Sequence, residues 1–244
     1  MDTEKLAHRL TSWIKEQVAA ARCQGIVLGI SGGLDSSVLA VLCKRALPEN
    51  VLGIMMPCYS SPEDEEHARI LAEKFSIPTR LVVLDSVFDT LLQLASAADS
   101  NPETHLLAEA NLKVRLRMVT LYYFANRLQY MVAGSSNRSE LTIGYFTKYG
   151  DGGVDIMPLG NLVKEQVIKL ARFLDIPEEI IVKPPSAGLW PGQTDENEMG
   201  ISYKELDDYI VSGEASPEVR ETIETMISGA RHKRRLPLIA MPQD

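Results

Sequence analysis

The stretch Gly29-Ile30-Ser31-Gly32-Gly33-Leu34-Asp35-Ser36-Ser37 constrains the fold more than any other part of the chain. The apolar, partly β-branched run Ile26-Val27-Leu28 precedes it and reads as a buried strand. Val38, Leu39, Val41 and Leu42 follow at helical spacing. A strand, a glycine turn and a helix N-terminus in that order form an anion cradle. The N–H groups of a first helical turn lack intrahelical acceptors, and the helix dipole adds positive potential. Gly32 and Gly33 allow positive φ and close approach of an oxyanion, while Ser31, Ser36 and Ser37 supply hydroxyl donors. Asp35, a carboxylate beside a phosphate site, makes sense if a hard cation such as Mg²⁺ stands between the two. A glycine pair alone would be a turn, and Ser or Asp alone a helix cap. The flanking strand and helix are what make the pattern a phosphate site.

The strand and helix signals continue at βαβ spacing. Residues 4 to 20 form an amphipathic helix through Leu6, Leu10, Trp13, Ile14 and Val18. Val51 to Met56 is a second buried strand, and Ser61-Pro62-Glu63-Asp64-Glu65 starts a helix running to about Phe75. Arg80 to Leu84 gives a third strand and Met131 to Gly134 a fourth. Such alternation predicts a Rossmann-like, three-layer α/β/α fold with a mainly parallel sheet of about five strands, in a single domain over residues 1–244. Ligands on such a sheet sit beyond the strand C-termini. The polar segment Ser135 to Glu140 follows the fourth strand, so Glu140, its one acid, is a candidate second Mg²⁺ ligand.

From about Glu103 to Leu128 a long helix carries two apolar stripes. Leu107, Ala110, Val114, Met118, Leu121, Ala125 and Leu128 form one, and Leu112, Leu116, Val119 and Tyr123 the other. Both must be buried, and a second subunit on the second stripe predicts a two-fold homodimer. The alternative is a helix sandwiched within one domain.

Gly144 to Asp155 interleaves glycines with aromatics and reads as a loop suited to a polar aromatic ring, or as a glycine-rich hairpin. In the helix from Leu162 to Leu174, Lys164 lies near the positive end, a position explained if it reaches a phosphate. Lys183 to Glu196 is a proline- and glycine-rich loop of lid type, with Trp190 expected to close over something. Short helices over Tyr203–Val211 and Pro217–Gly229 lead to the basic knot Arg231-His232-Lys233-Arg234-Arg235, a solvated tail or a phosphate contact.

The bulk composition excludes several classes. Net charge is −8, which argues against nucleic acid as a partner. The sequence contains no apolar run of membrane-spanning length and no signal-peptide pattern at its N-terminus. Cys23, Cys43 and Cys58 have no metal-type spacing and read as reduced bystanders, so the expectation is a cytoplasmic protein without membrane partners.

The glycine stretch resembles the Ser-Gly-Gly-x-Asp-Ser pyrophosphate loop of ATP pyrophosphatases. Asn111-Leu-Lys-Val-Arg115-Leu-Arg117-Met, Phe146-Thr-Lys148-Tyr-Gly-Asp151-Gly-Gly-Val-Asp155, Lys183-Pro-Pro-Ser186-Ala-Gly-Leu and His232-Lys233-Arg are more specific, and resemble the ammonia-dependent NAD synthetases over nearly the whole chain. The resemblance implies an adenine nucleotide hydrolase-like fold and ATP-dependent amidation of deamido-NAD through an adenylate, with AMP and pyrophosphate released. It implies ATP binding by Gly29, Ile30, Ser31, Gly32, Gly33, Leu34, Asp35, Ser36, Ser135, Lys164 and Ser186, and Mg²⁺ binding by Asp35 and Glu140. Arg115 or Arg117, Lys148, Asp151, Asp155, His232 and Lys233 would hold deamido-NAD. Asp35, Lys164 and Lys148 would carry the chemistry, in a homodimer. Ser135 and Ser186 stand where the family often has threonine, and both keep the hydroxyl. The chain offers no length for a glutaminase domain, so the expected nitrogen source is free ammonia or a separate protein. Two other readings stay in view. One is another adenylating ATP pyrophosphatase, such as a tRNA-modifying enzyme, and the other is a non-catalytic nucleotide-binding dimer.

Overall fold

A computed structural model describes residues 2–98, 106–190 and 192–240. Helix α1 (Thr3–Ala20) is capped by the Asp2 side chain and buries Ala7, Ile14 and Val18. Strand β1 (Gly25–Gly29) leads through the glycine turn into α2 (Leu34–Ala46). Then come β2 (Val51–Met55), α3 (Pro62–Lys74), β3 (Thr79–Leu81), α4 (Asp85–Ala97), α5 (Leu106–Leu128) and β4 (Tyr130–Ala133). The four strands pair in the order β3-β2-β1-β4, all parallel. The chain therefore steps from β1 outward to β3 and returns to the other side of β1. The switch point lies at β1 and β4, whose C-terminal ends open the crevice where such sheets bind ligands.

Alternation along β1 divides the core into two layers. Ile26 and Leu28 face a cluster built with Ile14 and Val18 of α1, Val38 and Leu42 of α2, and Leu170 and Leu174 from the α7 region (Lys164–Phe173). Val27, on the opposite face, joins Ile54, Val132, Phe88 of α4, and Leu121 and Ala125 of α5. Helix α2 is buried on almost every side because it lies between the sheet, α1 and the α7 helix.

The sheet is one strand short of the expected five. Past the glycine-rich loop, only Ala133 and Ile156 form a parallel bridge. The Val132 N–H donates to the Asp155 carboxylate at 2.7 Å, so a side chain takes the ladder donor that a fifth strand's carbonyl would need. Pro158, two residues on, has no N–H to extend the pairing. The third strand is also shorter than the expected Arg80–Leu84.

The long helix is described from Leu106, and residues 103–105 of the expected span lie outside the described residues. One stripe meets the sheet through Leu121 and Ala125, and its Ala110 is also buried. The second is divided. Leu112 and Leu116 pack on the cluster containing Phe88 of α4, whereas Val119 and Tyr123 stay exposed. A helix of the same chain, not anticipated from the sequence, thus covers part of the face assigned to a second subunit.

The rest of the chain adds α6 (Arg138–Ile143), α7, α8 (Glu178–Ile181), α9 (Asp195–Met199), α10 (Tyr203–Ser212) and α11 (Pro217–Gly229). Ile143, Met199, Ile201, Tyr203, Leu206 and Ile223 form a separate small core there. The basic knot is a 3-10 turn over Arg231–Arg234. Arg234 donates to the Leu141 and Thr142 carbonyls near the α6 C-terminus, and Lys233 to those of Gly144 and Phe146. The knot is a folded turn rather than a tail, with Arg231, His232, Arg234 and Arg235 exposed to solvent. It satisfies carbonyls that the end of a helix leaves open.

Candidate active site

A cavity of about 490 Å³ opens over the C-terminal ends of β1, β2 and β4. Gly29, Ile30, Ser31, Gly33, Leu34, Asp35 and Ser36 line one wall, with Ser135, Glu140, Lys164 and Ser186 around it. Gly33 is the N-cap of α2 and no side chain caps the helix. The serines instead lock the turn: Ser36 and Ser37 donate to the Gly33 carbonyl at 3.0 and 2.8 Å, and the Ser31 and Ser36 hydroxyls meet at 2.9 Å. An uncapped helix start in a cavity is a ready anion site.

Asn137, absent from the residues picked out by sequence, organises the acids. Its Nδ2 donates to Asp35 Oδ1 at 3.0 Å and to Glu140 Oε1 at 2.9 Å. Asn137 also caps α6: its side chain accepts from the Glu140 N–H, and its own N–H donates to Glu140 Oε2 at 3.1 Å. The Asn-x-x-Glu spacing of a capping box was the available signal. The second oxygen of Asp35 is ion-paired to Lys164 Nζ, almost wholly buried at 3% exposure. Lys164 lies 4.9 Å above the Tyr203 ring, and the Tyr203 hydroxyl donates to Asp195 at 2.9 Å and reaches Glu140 at 3.4 Å.

Burial, and then the nearby Asp35 charge, push Glu140 up to about 8. Burial opposes the charge on Lys164 most strongly, yet the Asp35 and Glu140 carboxylates still hold its pKa above the usual lysine value. With one lysine and one amide for two clustered acids, the site cannot hold both carboxylates charged near neutral pH, and Glu140 keeps its proton unless a second cation replaces it. That donor set suits a divalent cation with few protein ligands and further oxygens from phosphates and water. Among the described residues no group of three or more metal-ligating side chains occurs. The α7 N-terminus is already satisfied, since Lys164 N–H donates to Ser139 Oγ and Glu165 N–H to Asp207. The nearby Asp207 carboxylate offsets the unfavourable position of a lysine at that helix end.

The residues assigned to deamido-NAD divide into two groups. Arg117 and Asp151 line the cavity. Arg115, Lys148 and His232 form a chain outside it: Arg115 donates to the Lys148 carbonyl at 3.3 Å, and Lys148 Nζ to the His232 carbonyl at 2.9 Å. Lys233 is engaged by the two carbonyls described above. Asp155 accepts from Val132 N–H and from the Tyr122 hydroxyl at 3.0 Å, so both its oxygens hold protein groups.

The lid loop lies across the cavity. Lys183 is ion-paired to Asp64 of α3, Lys113 Nζ donates to the Leu189 carbonyl at 2.9 Å, and Trp190 is half-buried. The end of the loop is helical, as α9. Asp64 and Lys183 were missed because they pair across 119 residues, and Asp195 and Tyr203, only eight apart, because their approach to Lys164 and Glu140 depends on the tertiary fold.

The chain matches the NAD synthase family model over residues 6–237. It is 50% identical over 239 residues to the NH(3)-dependent NAD(+) synthetase of Carboxydothermus hydrogenoformans, covering 98% of each chain. The structure of NMN synthetase from Francisella tularensis is similar with a TM-score of 0.94 at 34% identity, over 98% of this chain and 99% of that one. NH3-dependent NAD synthetase from Campylobacter jejuni is similar with a TM-score of 0.81 at 30% identity, over 99% and 100%.

Proposed function

The chain belongs to the NAD synthase family, and from that premise we propose how its cavity amidates deamido-NAD with ammonia and ATP. The observation that carries this reading is the joining of the glycine turn to the Asp35–Asn137–Glu140 and Lys164 cluster in one cavity. The nicotinate carboxylate attacks the α-phosphorus of ATP and pyrophosphate departs toward the α2 N-terminus. Ammonia then attacks the adenylated carbonyl, AMP leaves, and the amine nitrogen loses a proton. Neither step needs a protein nucleophile, so positioning and charge neutralisation carry the catalysis.

Asp35 and Glu140 would hold Mg²⁺, which supplies charge neutralisation at the phosphates when bound. Lys164 orients Asp35 and adds a cation beside the turn. The lid shields a hydrolysable adenylate from water. Arg115, Lys148, Asp155, His232 and Lys233 form the outer part of the acceptor site. The exposed Val119 and Tyr123 of α5, with Val87, Leu91 and Leu94 of α4, support a homodimer, and sedimentation should give twice the chain mass. Three unpaired cysteines suit a reducing, cytoplasmic setting.

Incubation with ATP, Mg²⁺, ammonium and deamido-NAD should yield NAD and AMP together. AMP release without the acceptor, or none with it, would count against the reading. The likeness in backbone to the NMN synthetase favours a second acceptor, nicotinate mononucleotide. Comparing kcat/KM for the two acceptors decides between them, and a higher value for the mononucleotide would displace the dinucleotide as main substrate.

A pH dependence follows from Glu140. Its folded pKa, about 8, lies above the usual carboxylate value, so the unfolded chain releases this proton first as pH rises. Metal-free protein should lose stability progressively as pH rises from roughly 4.5 to 8. Melting curves at several pH values check this, and Glu140→Gln should flatten the slope. An unchanged slope in that variant would remove Glu140 as its source.

A further inference from the structure

Arg115 and Arg117 stand two residues apart on α5, so they point about 200° apart around the helix. Arg115 turns outward to the Lys148 carbonyl, and Arg117 turns into the cavity. Three cations line that cavity: Lys164 is paired with Asp35, Lys183 with Asp64, and Arg117 with no carboxylate among the described residues. Arg117 Nε donates to the Met56 carbonyl and Nη2 to Ser60 Oγ, both at 3.2 Å. A guanidinium has five N–H groups, so two neutral acceptors leave donors unmatched, and the Asp64 and Asp151 carboxylates act on its charge only from beyond ion-pair distance. Burial is the largest influence on this guanidinium and disfavours its charge despite those two carboxylates, so an anion in direct contact would complete the site.

The position of Arg117 says which anion. Met56 and Ser60 lie just beyond β2, whose residue Ile54 is in register with Gly29 at the start of the phosphate turn. Val114, one turn before Arg117, packs so closely on Gly150 that a Cβ there would come within 2.7 Å of it. Arg117 therefore stands between the nucleotide end of the cavity and the glycine-rich loop, where Asp151 also lines the wall. Lys164 serves the pyrophosphate side with Asp35. The anionic groups that meet between those two regions are the α-phosphate and the acceptor carboxylate.

We propose that Arg117 is a catalytic residue of the adenylation step, donating to the oxygens of the forming acyl phosphate. This rests on the synthetase reading above. In that step a carboxylate oxygen–phosphorus bond forms, and the bond from the α-phosphorus to the bridging oxygen breaks. Pyrophosphate takes the electron pair, and no proton moves. The guanidinium carries charge at the centre of the transition state, whereas Lys164 and the turn act on the leaving group.

The test is exchange of labelled pyrophosphate into ATP, which reads adenylation without ammonia. Arg117→Ala should slow acceptor-dependent exchange by about 100-fold, the effect of removing one oxyanion donor. Added guanidinium should recover part of the loss, and urea none. Ser60→Ala removes a tie of the same side chain but leaves its charge, and should exchange at a rate near that of the parent protein. Arg117→Gln keeps N–H donors for Met56 and Ser60 and should show the same loss as Arg117→Ala, which covers the case of an alanine variant that does not fold. Normal exchange in Arg117→Gln overturns the assignment. So does a loss in a folded Arg117→Ala that guanidinium cannot recover while Ser60→Ala loses as much, since that pattern marks a structural tie. If the parent protein exchanges no pyrophosphate with acceptor present, the synthetase reading fails instead.

Discussion

Lys164→Met should reduce NAD formation by about 1,000-fold and lower folding stability by about 3 kcal/mol. The two effects share one cause. Lys164 is buried at 3% exposure and ion-paired to Asp35, whose side chain is 16% exposed. Removing one member of a buried pair leaves the other charged and poorly solvated, which costs more than the pair contributes. Asp35 would keep only the Asn137 amide at 3.0 Å, close to the Glu140 carboxylate that the same amide holds. Methionine fills the space over the Tyr203 ring, so a cavity does not explain the loss. Chemical denaturation and steady-state kinetics on one preparation measure both quantities. Adding Asp35→Asn should return stability toward the parent value, because the orphaned charge is gone, while activity stays lost. A double variant no more stable than Lys164→Met would show that the ion pair is not the source of the stability change.

What the sequence revealed was local. The glycine turn, its flanking strand and helix, and the helix starts at Ser61 and Ser216 are written in adjacent residues, and the structure follows them closely. Parallel order followed from the spacing of those units. The features that escaped depend on partners far along the chain. Helix α4 begins at Leu84, which provides no side-chain cap, so the usual start signal is missing. Its Phe88 then covers part of the α5 stripe that pointed toward a second subunit. The fifth strand failed at Asp155, because nothing nearby shows that its carboxylate will take the Val132 N–H.

The site follows the same division. Asp35 and Glu140 were recognisable because each follows a strand end. Asn137, which joins them, was hidden by its ordinary role as a helix cap. The unusual position of Lys164 was visible as a charge at the wrong helix end, but its partner here is a carboxylate from 129 residues away. The basic knot could not be resolved into carbonyl caps for α6 without knowing that the C-terminus returns there.

Gly32→Ala should cost about 3 kcal/mol in stability and about 100-fold in rate, although alanine adds only one methyl group to the turn. Gly32 has φ +78°, where a Cβ is disfavoured by about 1–2 kcal/mol. The rest of the penalty is steric. A Cβ at this position would overlap the Asp64 carbonyl oxygen and lie 2.9 Å from its carbon, so the first turn of α3 must retreat. Asp64 is the residue whose carboxylate pairs with Lys183 at the root of the lid. One methyl group therefore disturbs the phosphate turn and the lid anchor together, and the rate falls through lost positioning. Gly213→Ala supplies the control. Gly213 has φ +77° at the end of α10, and nothing lies within 4 Å of the place its Cβ would take, so it should bear the conformational cost alone and keep its rate. Equal stability losses in the two variants would mean that α3 yields without strain. The lid would then have to be anchored by Lys113 and the Leu189 carbonyl instead.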